Sequence, residues 1–428
     1  MNDASSPAAV FQRGCQLLDL KRYADAEAAF RTVLAHEPQH DWALHQLAFA
    51  LWRQDRETEA LEVAMQAIGA APDEAAHQVL RSHVLSSLHR QNEALAAADE
   101  AVRLDPAAAD AFAARAQALS GQAQWVESEL AARSALALNP EHGLAHHYLA
   151  HTLRQQGRVH ENAAVVQEQL RRDPESPLAH ANAGWAALER GDRRTAEKHF
   201  AEALRLAPDF DWAREGLLQS FRARSPIYRA HLAYTFWMSK RRAGQQWAII
   251  LGIWLAVRFA RILLTGPYRW IGLTLALGYL AFALWGWVAR GVGNLLLLTD
   301  PFARMVLRRH EKLEAIFVGG GLLAGVAVAT LGFAVANDRL LLAGGLWALA
   351  ALPFACTFDN TRRFGRWLFG SIGTGAWLLA LTEIAALYVP GRWVDAIAGS
   401  ELSALTVVGL GCVLTTWIGN LGALRQRH

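Results

Sequence analysis

The chain has 428 residues, 42 Lys and Arg against 39 Asp and Glu, a formal net charge of +3 and 53% apolar residues. That near balance, with no dense basic stripe, argues against a nucleic-acid binder, and three scattered cysteines, Cys15, Cys356 and Cys412, exclude a disulfide framework or a cysteine-based zinc site. Composition divides the chain in two: residues 1–226 are rich in Ala, Glu, Gln, His and Arg with helical periodicity, whereas 244–424 are dominated by Leu, Ala, Gly, Val and Trp. Residues 1–10 have neither the basic start nor the apolar run of a signal peptide, so the first half is expected to stay on the side where it is made.

Six prolines, Pro38, Pro72, Pro106, Pro140, Pro174 and Pro208, stand 34 residues apart, a period that marks stacked helix pairs. Small residues recur where the helices of a pair must approach, at Gly14, Ala48, Ser82, Ala116, Ala150 and Gly184, and Leu17, Leu51, Leu85, Leu119 and Leu153 follow three residues on. A second small series, Ala26, Ala60, Ala94, Ser128, Asn162 and Ala196, marks the second helix, with Phe30 and Phe200 filling the larger inter-helix site in the first and last units. Each proline lacks an N–H and turns the preceding residue away from the helical region, so it ends the second helix. Over about residues 7–208 this pattern resembles the tetratricopeptide repeat (TPR) family, departing from it in lacking the usual Trp and Tyr of the first helix. The fold class expected is all-α: an N-terminal TPR α-solenoid of six 34-residue helix pairs plus a capping helix, joined to a C-terminal polytopic transmembrane bundle of about six spans.

The resemblance implies that the first helices line a concave groove in which a protein or peptide partner lies. Carried over position by position, that groove includes Phe11, Cys15, Trp42, His45, Phe49, Trp52, Val79, His83, Ala113, Gln117, His147, His151, Arg154 and Trp185. The Lys and Asn arrangement with which some family members clamp a C-terminal carboxylate is not matched. Aromatic side chains supply contact area at low entropic cost and suit an extended or helical peptide. The plainer reading is that Trp42, Phe49 and Trp52 only pack against neighbouring helices. His147 and His151 lie one helical turn apart, with His142, His146 and His160 close by, a spacing that can hold a metal. No third ligand or HExxH motif accompanies them, so no metal and no cofactor is expected.

After the last proline, residues 211–224 read as one more helix, a cap with Trp212, Leu217, Leu218 and Phe221 on one side, and Pro226 then breaks the chain. Residues 227–243 combine Tyr228, Leu232, Tyr234, Phe236 and Trp237 with Lys240, Arg241 and Arg242, the composition of a helix lying at a lipid headgroup surface. The domains expected are thus 1–226, a juxtamembrane helix over 227–243, and a membrane domain over 244–428.

Six apolar stretches approach the length of about 20 residues that a hydrocarbon core requires: 246–264, 268–289, 315–336, 340–357, 367–389 and 402–424. The first contains Arg258 and Arg261, and the short fourth contains Pro353. Lys240 to Arg242 precede the first span; Arg290, Arg304, Arg308, Arg309 and Lys312 lie between the second and third; Arg362, Arg363 and Arg366 between the fourth and fifth; and Arg425 and Arg427 after the sixth. The alternate connections carry only Arg269, Arg339 and Arg392, so the positive-inside rule puts both termini in the cytoplasm.

Asp300 as N-cap and Pro301 in the first turn start a helix with Phe302, Met305, Val306 and Leu313 on one side and Arg304, Arg308, Arg309 and Lys312 on the other. That helix is expected to meet anionic lipid at the cytoplasmic surface, or more simply to fix topology as a basic loop. Glycines crowd the third, fifth and sixth spans, Gly321 and Gly325 forming a GxxxG step that favours packing within the bundle over dimerisation. Arg258, Arg261 and Glu383 are charged groups inside the membrane, and a salt bridge from Glu383 to either arginine is geometrically possible. Asp359 and Asn360 need no more than a capping or loop role. No GxSxG, P-loop, HExxH or strand-linked GxGxxG is present.

The function read from these residues is that of a membrane-anchored adaptor, not an enzyme, which binds a protein or peptide in its groove and assembles a complex at the cytoplasmic face of a bacterial inner membrane. The alternative is a transporter, channel or membrane enzyme whose bundle is the active part and whose repeats recruit or regulate; a metal enzyme built on the histidines comes third.

Overall fold

The computed structural model describes residues 6–241, 243–263, 268–360, 363–385, 411–412 and 414–415, and among them every regular element is a helix. Two compact units divide the chain, Met1–Ala213 and Arg214–His428.

The first unit is built from helix pairs α1 (Pro7–Asp19) with α2 (Tyr23–His36), α3 (Asp41–Trp52) with α4 (Glu57–Ala70), and α5 (Ala75–Ser87) with α6 (Gln91–Leu104). The series continues through α7 (Ala109–Gly121) and α8 (Trp125–Leu138), α9 (Gly143–Gln155) and α10 (Val159–Arg172), and α11 (Pro177–Glu189) and α12 (Arg193–Leu206). A final helix, α13 (Asp211–Arg222), starts in register with the first helices and carries the chain into the second unit.

The period extends to atomic detail. Ser6, His40, Glu74, His142 and Ser176 cap five of the first helices by accepting a hydrogen bond from a first-turn N–H. Within each pair the turn passes through one left-handed residue, Lys21, Asp55, His89, Ala123, Gly157 and Gly191, again 34 residues apart. Residues before the prolines leave the helical region, and Asp105 (φ −135°) and Asn139 (φ −134°) are extended.

Close approach of the two helices in a pair explains the small residues. A Cβ at Gly14 would stand 2.6 Å from Phe30 Cε1, and one at Gly184 2.6 Å from Phe200 Cε1. The corresponding pairs in the middle repeats, Ala48 with Ala64, Ser82 with Ala98, Ala116 with Ala132 and Ala150 with Val166, share the volume differently and are all buried. Across the same seam Ser82 Oγ donates to Ala94 O (2.8 Å) and Ser128 Oγ to Ala116 O (2.7 Å), so these buried hydroxyls are satisfied.

The second unit contains α14 (Pro226–Ser239), α15 (Ala243–Leu263), α16 (Arg269–Leu298), α17 (Pro301–Val306), α18 (Arg309–Glu314), α19 (Gly321–Ala334), α20 (Asp338–Leu349), α21 (Ala351–Asp359) and α22 (Arg363–Ala385), with a π-helical turn at Ala315–Gly320. Four stretches, Trp270–Leu298, Arg309–Ala334, Asp338–Asp359 and Arg363–Ala385, are long and apolar enough to cross a membrane. The region expected to span at 246–264 is the 21-residue α15, with Trp247, Leu251, Phe259 and Ile262 exposed along it. Of the region expected at 402–424, only 411–412 and 414–415 are described, and there Cys412 and Thr415 are buried.

Several local expectations need correction. The basic helix expected from Pro301 to Leu313 is two short helices, because Leu307 and Arg308 are extended (ψ 126° and 162°) and Arg308 N–H donates instead to Glu311, the N3 residue of α18, at 2.7 Å. The interfacial helix expected over 227–243 ends at Ser239 and is not a free surface helix: Tyr228 and Leu232 are buried, and Tyr234 packs edge-on to Phe282 of α16. The fourth apolar stretch divides at Ala350, because Pro353 has no N–H for the carbonyl of Leu349. The glycines act inside the bundle: Cβ atoms at Gly325 and Gly344 would fall 2.4 Å and 2.2 Å from backbone nitrogens of the facing helix, so α19 and α20 meet backbone to backbone.

Candidate functional site

Successive first helices touch one another, α1 with α3, α3 with α5, and so on to α11, which makes their free faces the inner, concave side of the stack. Along that side aromatic rings and imidazoles form a ladder. At the N-terminal end Phe11 stacks on His40 (5.2 Å, 24°), and exposed Trp42 packs against His45 and edge-on to His77. His45 Nδ1 and His77 Nδ1 share a hydrogen bond of 3.0 Å, while His77 Nε2 faces Asp41 at 3.4 Å. Next come Phe49 and Trp52; Trp52 lies parallel to His83 (5.9 Å, 6°) and donates its indole N–H to Ser87 Oγ at 2.8 Å. His83 in turn bonds Gln117 of the following repeat.

The second half of the ladder centres on His147 and His151, stacked at 6.2 Å and 17°. His151 Nδ1 bonds Ser120 (3.0 Å) and His147 Nδ1 bonds Asn182 (3.1 Å). Trp212, the second residue of α13, packs edge-on against His147 (4.8 Å, 90°) and stacks on Trp185 (5.9 Å, 25°), which rests on Phe200. The Trp185 indole N–H is buried and has no hydrogen-bond partner among the described residues.

Burial favours the neutral form of four imidazoles in the ladder, His45, His83, His147 and His151. Burial lowers the pKa of His147 and of His45 to about 4, with the neighbouring His77 adding to the effect at His45. Burial, then the Arg154 charge, holds His151 well below the ordinary imidazole value, and burial lowers His83 as well. Arg154 is itself lowered by burial from an ordinary value so high that it stays cationic.

Of the residues expected in the groove, Phe11, Trp42, His45, Phe49, Trp52, His83 and Gln117 are thus brought into one cluster and His147, His151, Arg154 and Trp185 into a second. Ala113 falls outside both, being buried inside its helix pair. His77, Asn182 and Trp212 join the ladder without having been anticipated; His77 sits in the first turn of α5, where the carried-over stripe has no position. The five histidines grouped by spacing do not converge. His142 caps α9 and bonds Asp110 (2.9 Å), His146 bonds Pro140 O (2.8 Å), and among the described residues no three metal-capable side chains come together.

The second unit holds a polar cluster that the sequence reading missed. Arg222 is fully buried and donates through Nε and Nη2 to Asn294 Oδ1 (3.1 and 2.8 Å) and through Nη1 to Glu215 (3.0 Å). Asn294 donates to Glu314 (3.2 Å), Glu314 pairs with Arg290 (2.8 Å), and Arg290 also pairs with Asp359. Nearby Arg214 pairs with Glu311 (3.0 Å) and Arg224 with Asp300. Arg290 and Asp359, expected only to set topology and cap a helix, are therefore ion-pair partners.

Glu383 is buried on α22 and Arg258 is exposed on α15, and among the described residues no ion pair joins them; the side chain of Arg261 lies outside the described residues. Of the basic groups expected to face lipid, Arg304, Arg308 and Arg309 are exposed, Lys312 is half-buried, Lys240 caps α14, Arg241 lies over the Trp237 ring at 4.6 Å, and Arg242 lies outside the described residues.

Stacked helix pairs of constant length with an open inner face define a repeat scaffold. Residues 17–83 and 114–177 each match a model of the tetratricopeptide repeat, and the N-terminal half of this chain is a TPR solenoid, a fold that serves protein–protein interaction. No family model matches the second unit, and no curated protein matches the chain. Similar solved structures include PilW, a type IV pilus biogenesis factor (20% identity, covering 51% of this chain and 100% of that one, TM-score 0.42), and pilF of Pseudomonas aeruginosa (18%, 51% and 97%, TM-score 0.40). Another is YrrB, a TPR protein with an unusual peptide-binding site (19%, 44% and 96%, TM-score 0.31).

Proposed function

We propose that the chain is a membrane-anchored TPR adaptor whose concave groove holds a protein or peptide segment and so assembles a complex at the cytoplasmic face of a bacterial inner membrane. The observation that carries this reading is the ladder itself: aromatic and imidazole rings line the inner helices in two clusters, the first of which includes exposed Trp42. Rigid rings of this kind bind through area, at little entropic cost. Neutral imidazoles favour an apolar or aromatic segment. Four helices long and apolar enough to span a bilayer supply the anchor, and the distribution of Lys and Arg supports the cytoplasmic side.

The test is photo-crosslinking in native membranes from a probe residue at Gln117 in the groove and, as control, at Leu130, which is exposed on a second helix. A defined adduct from position 117 but not from 130 supports the adaptor. Equal adducts from both, or none from 117, argue against it. One observation favours the alternative of a transporter, channel or membrane enzyme, namely the Arg222–Asn294–Glu314–Arg290–Asp359 cluster, buried at Arg222, Asn294 and Glu314 and half-exposed at Arg290 and Asp359. Its charges are mutually paired, and a paired cluster clamps helices together more readily than it passes an ion.

A further inference from the structure

Between the π-helical turn, α21 and α22 lies a cavity of about 570 Å³ walled by Phe317, Phe354, Phe358, Trp367 and Leu378, with Arg366 where α22 enters it. Three hydroxyls also line it, but each is turned into its own helix: Thr357 Oγ1 donates to Pro353 O (2.9 Å), Ser371 Oγ to Leu368 O (2.8 Å) and Thr374 Oγ1 to Gly370 O (2.8 Å). The walls therefore present rings and methyl groups, which suit a hydrocarbon chain and give water or an ion little to hold. From Arg366 to Leu378 the lining follows α22 for twelve residues, about 18 Å at 1.5 Å per residue, close to half of a hydrocarbon core about 30 Å thick.

The two ends differ as the two ends of a lipid differ. Arg366 is exposed, no carboxylate lines the cavity, and among the described residues none pairs with its guanidinium. Phe364 and Trp367 stand beside it, 63% and 69% exposed, as aromatic residues do at a membrane–water boundary. The opposite end is apolar. Gly370 and Gly375 keep the floor open and are not required by close helix packing, since a Cβ at Gly375 meets nothing within 4 Å and one at Gly370 meets only Thr357, at ordinary contact distances of 3.7 Å (Cγ2) and 3.8 Å (Oγ1).

We propose that this cavity binds one acyl chain of an anionic phospholipid, with Arg366 meeting its phosphate. The inference rests on the reading of the second unit as membrane-spanning.

The experiment is native mass spectrometry of the full-length protein in mild detergent after equilibration with equal amounts of dioleoyl phosphatidylglycerol and dioleoyl phosphatidylcholine. The wild type should retain phosphatidylglycerol about fivefold over phosphatidylcholine, the effect of one basic group near the surface. Gly375→Leu, whose Cβ meets nothing within 4 Å, should leave the melting temperature unchanged and abolish retention of both lipids. Arg366→Gln should still retain lipid but without preference. Equal retention by wild type and Gly375→Leu, or a wild type without preference for phosphatidylglycerol, overturns the assignment. Alkaline carbonate extraction of native membranes separates the two failures: a chain released into the supernatant refutes the membrane reading, whereas a chain kept in the pellet with lipid retention indifferent to Gly375→Leu refutes the cavity alone.

Discussion

Exchange of volume between facing positions of one helix pair gives a quantitative test of the solenoid packing. At Gly184 a methyl group would stand 2.6, 2.7 and 2.8 Å from Cε1, Cδ1 and Cζ of Phe200, a ring with 0% exposure held also by Trp185. Gly184→Ala gains about 1 kcal/mol of helix propensity but overpacks a ring that has nowhere to move, at about 1–3 kcal/mol, so a net loss of about 0–2 kcal/mol is expected. Phe200→Ala should cost about 3–5 kcal/mol, the transfer and cavity terms of a large buried ring. In the double variant the methyl enters the space the ring has left, reproducing the Ala116–Ala132 pair of the fourth repeat. Its loss should be about 2–3 kcal/mol smaller than the sum of the singles. Native-state hydrogen exchange of the full-length protein in detergent, read on peptides of α11 and α12, gives the local stability of this repeat alone. Additivity of the two losses within about 0.5 kcal/mol would refute the reasoning.

Three other outcomes are expected. Ala123 is left-handed (φ 57°) at the position that Gly157 and Gly191 occupy in later repeats, so Ala123→Gly should stabilise the fourth repeat by about 0.5–1 kcal/mol and Gly191→Ala weaken the sixth by about 1 kcal/mol, both in the same exchange measurement. Truncating Arg222 to Ala leaves Asn294 and Glu215 without their guanidinium partner and should cost about 3–5 kcal/mol, seen as faster proteolysis of the second unit; unchanged digestion would show that the cluster holds nothing. His147 and His45, neutral in the fold with values near 4, take up a proton in the unfolded chain near the ordinary 6.5. Stability is therefore full above pH 6.5 and falls between 6.5 and about 4, by up to about 1.4 kcal/mol per pH unit for each histidine. Exchange protection of α3 and α9 should drop over that window, and less steeply for α9 in His147→Gln, where His151 still takes up a proton on unfolding; protection independent of pH would contradict it.

The sequence by itself determined the repeat. A 34-residue period in proline, small residues and leucine specifies helix length, turn position and pairing, because each repeat meets only its neighbours and no distant contact is needed to define it. The helices begin at Pro7, Asp41, Ala75, Ala109, Gly143, Pro177 and Asp211 in the same period. Four of the apolar stretches are likewise visible as helices of spanning length, since hydropathy sums along the chain. Local rules also placed Asp300, which accepts from the N–H groups of Phe302 and Ala303 as an N-cap does.

Only the tertiary structure decided which side chains meet. His45 and His77, Trp185 and Trp212, and His83 and Gln117 lie about one repeat apart, and their partnership depends on the rotation between repeats. The cluster of Arg222, Asn294, Glu314, Arg290 and Asp359 draws on residues up to 137 positions apart whose types carry no shared period, so Arg290 reads as a topology signal until Glu314 and Asp359 are seen beside it. The same holds for the basic helix at 301–313: propensity favours one continuous helix, and the break at Leu307 and Arg308 comes with Glu311 bonding Arg308 N–H and pairing with Arg214, a contact 97 residues distant. Periodic contacts repeat in the chain and can be read there, whereas an aperiodic ion pair exists only once two distant segments have been brought to within 3 Å.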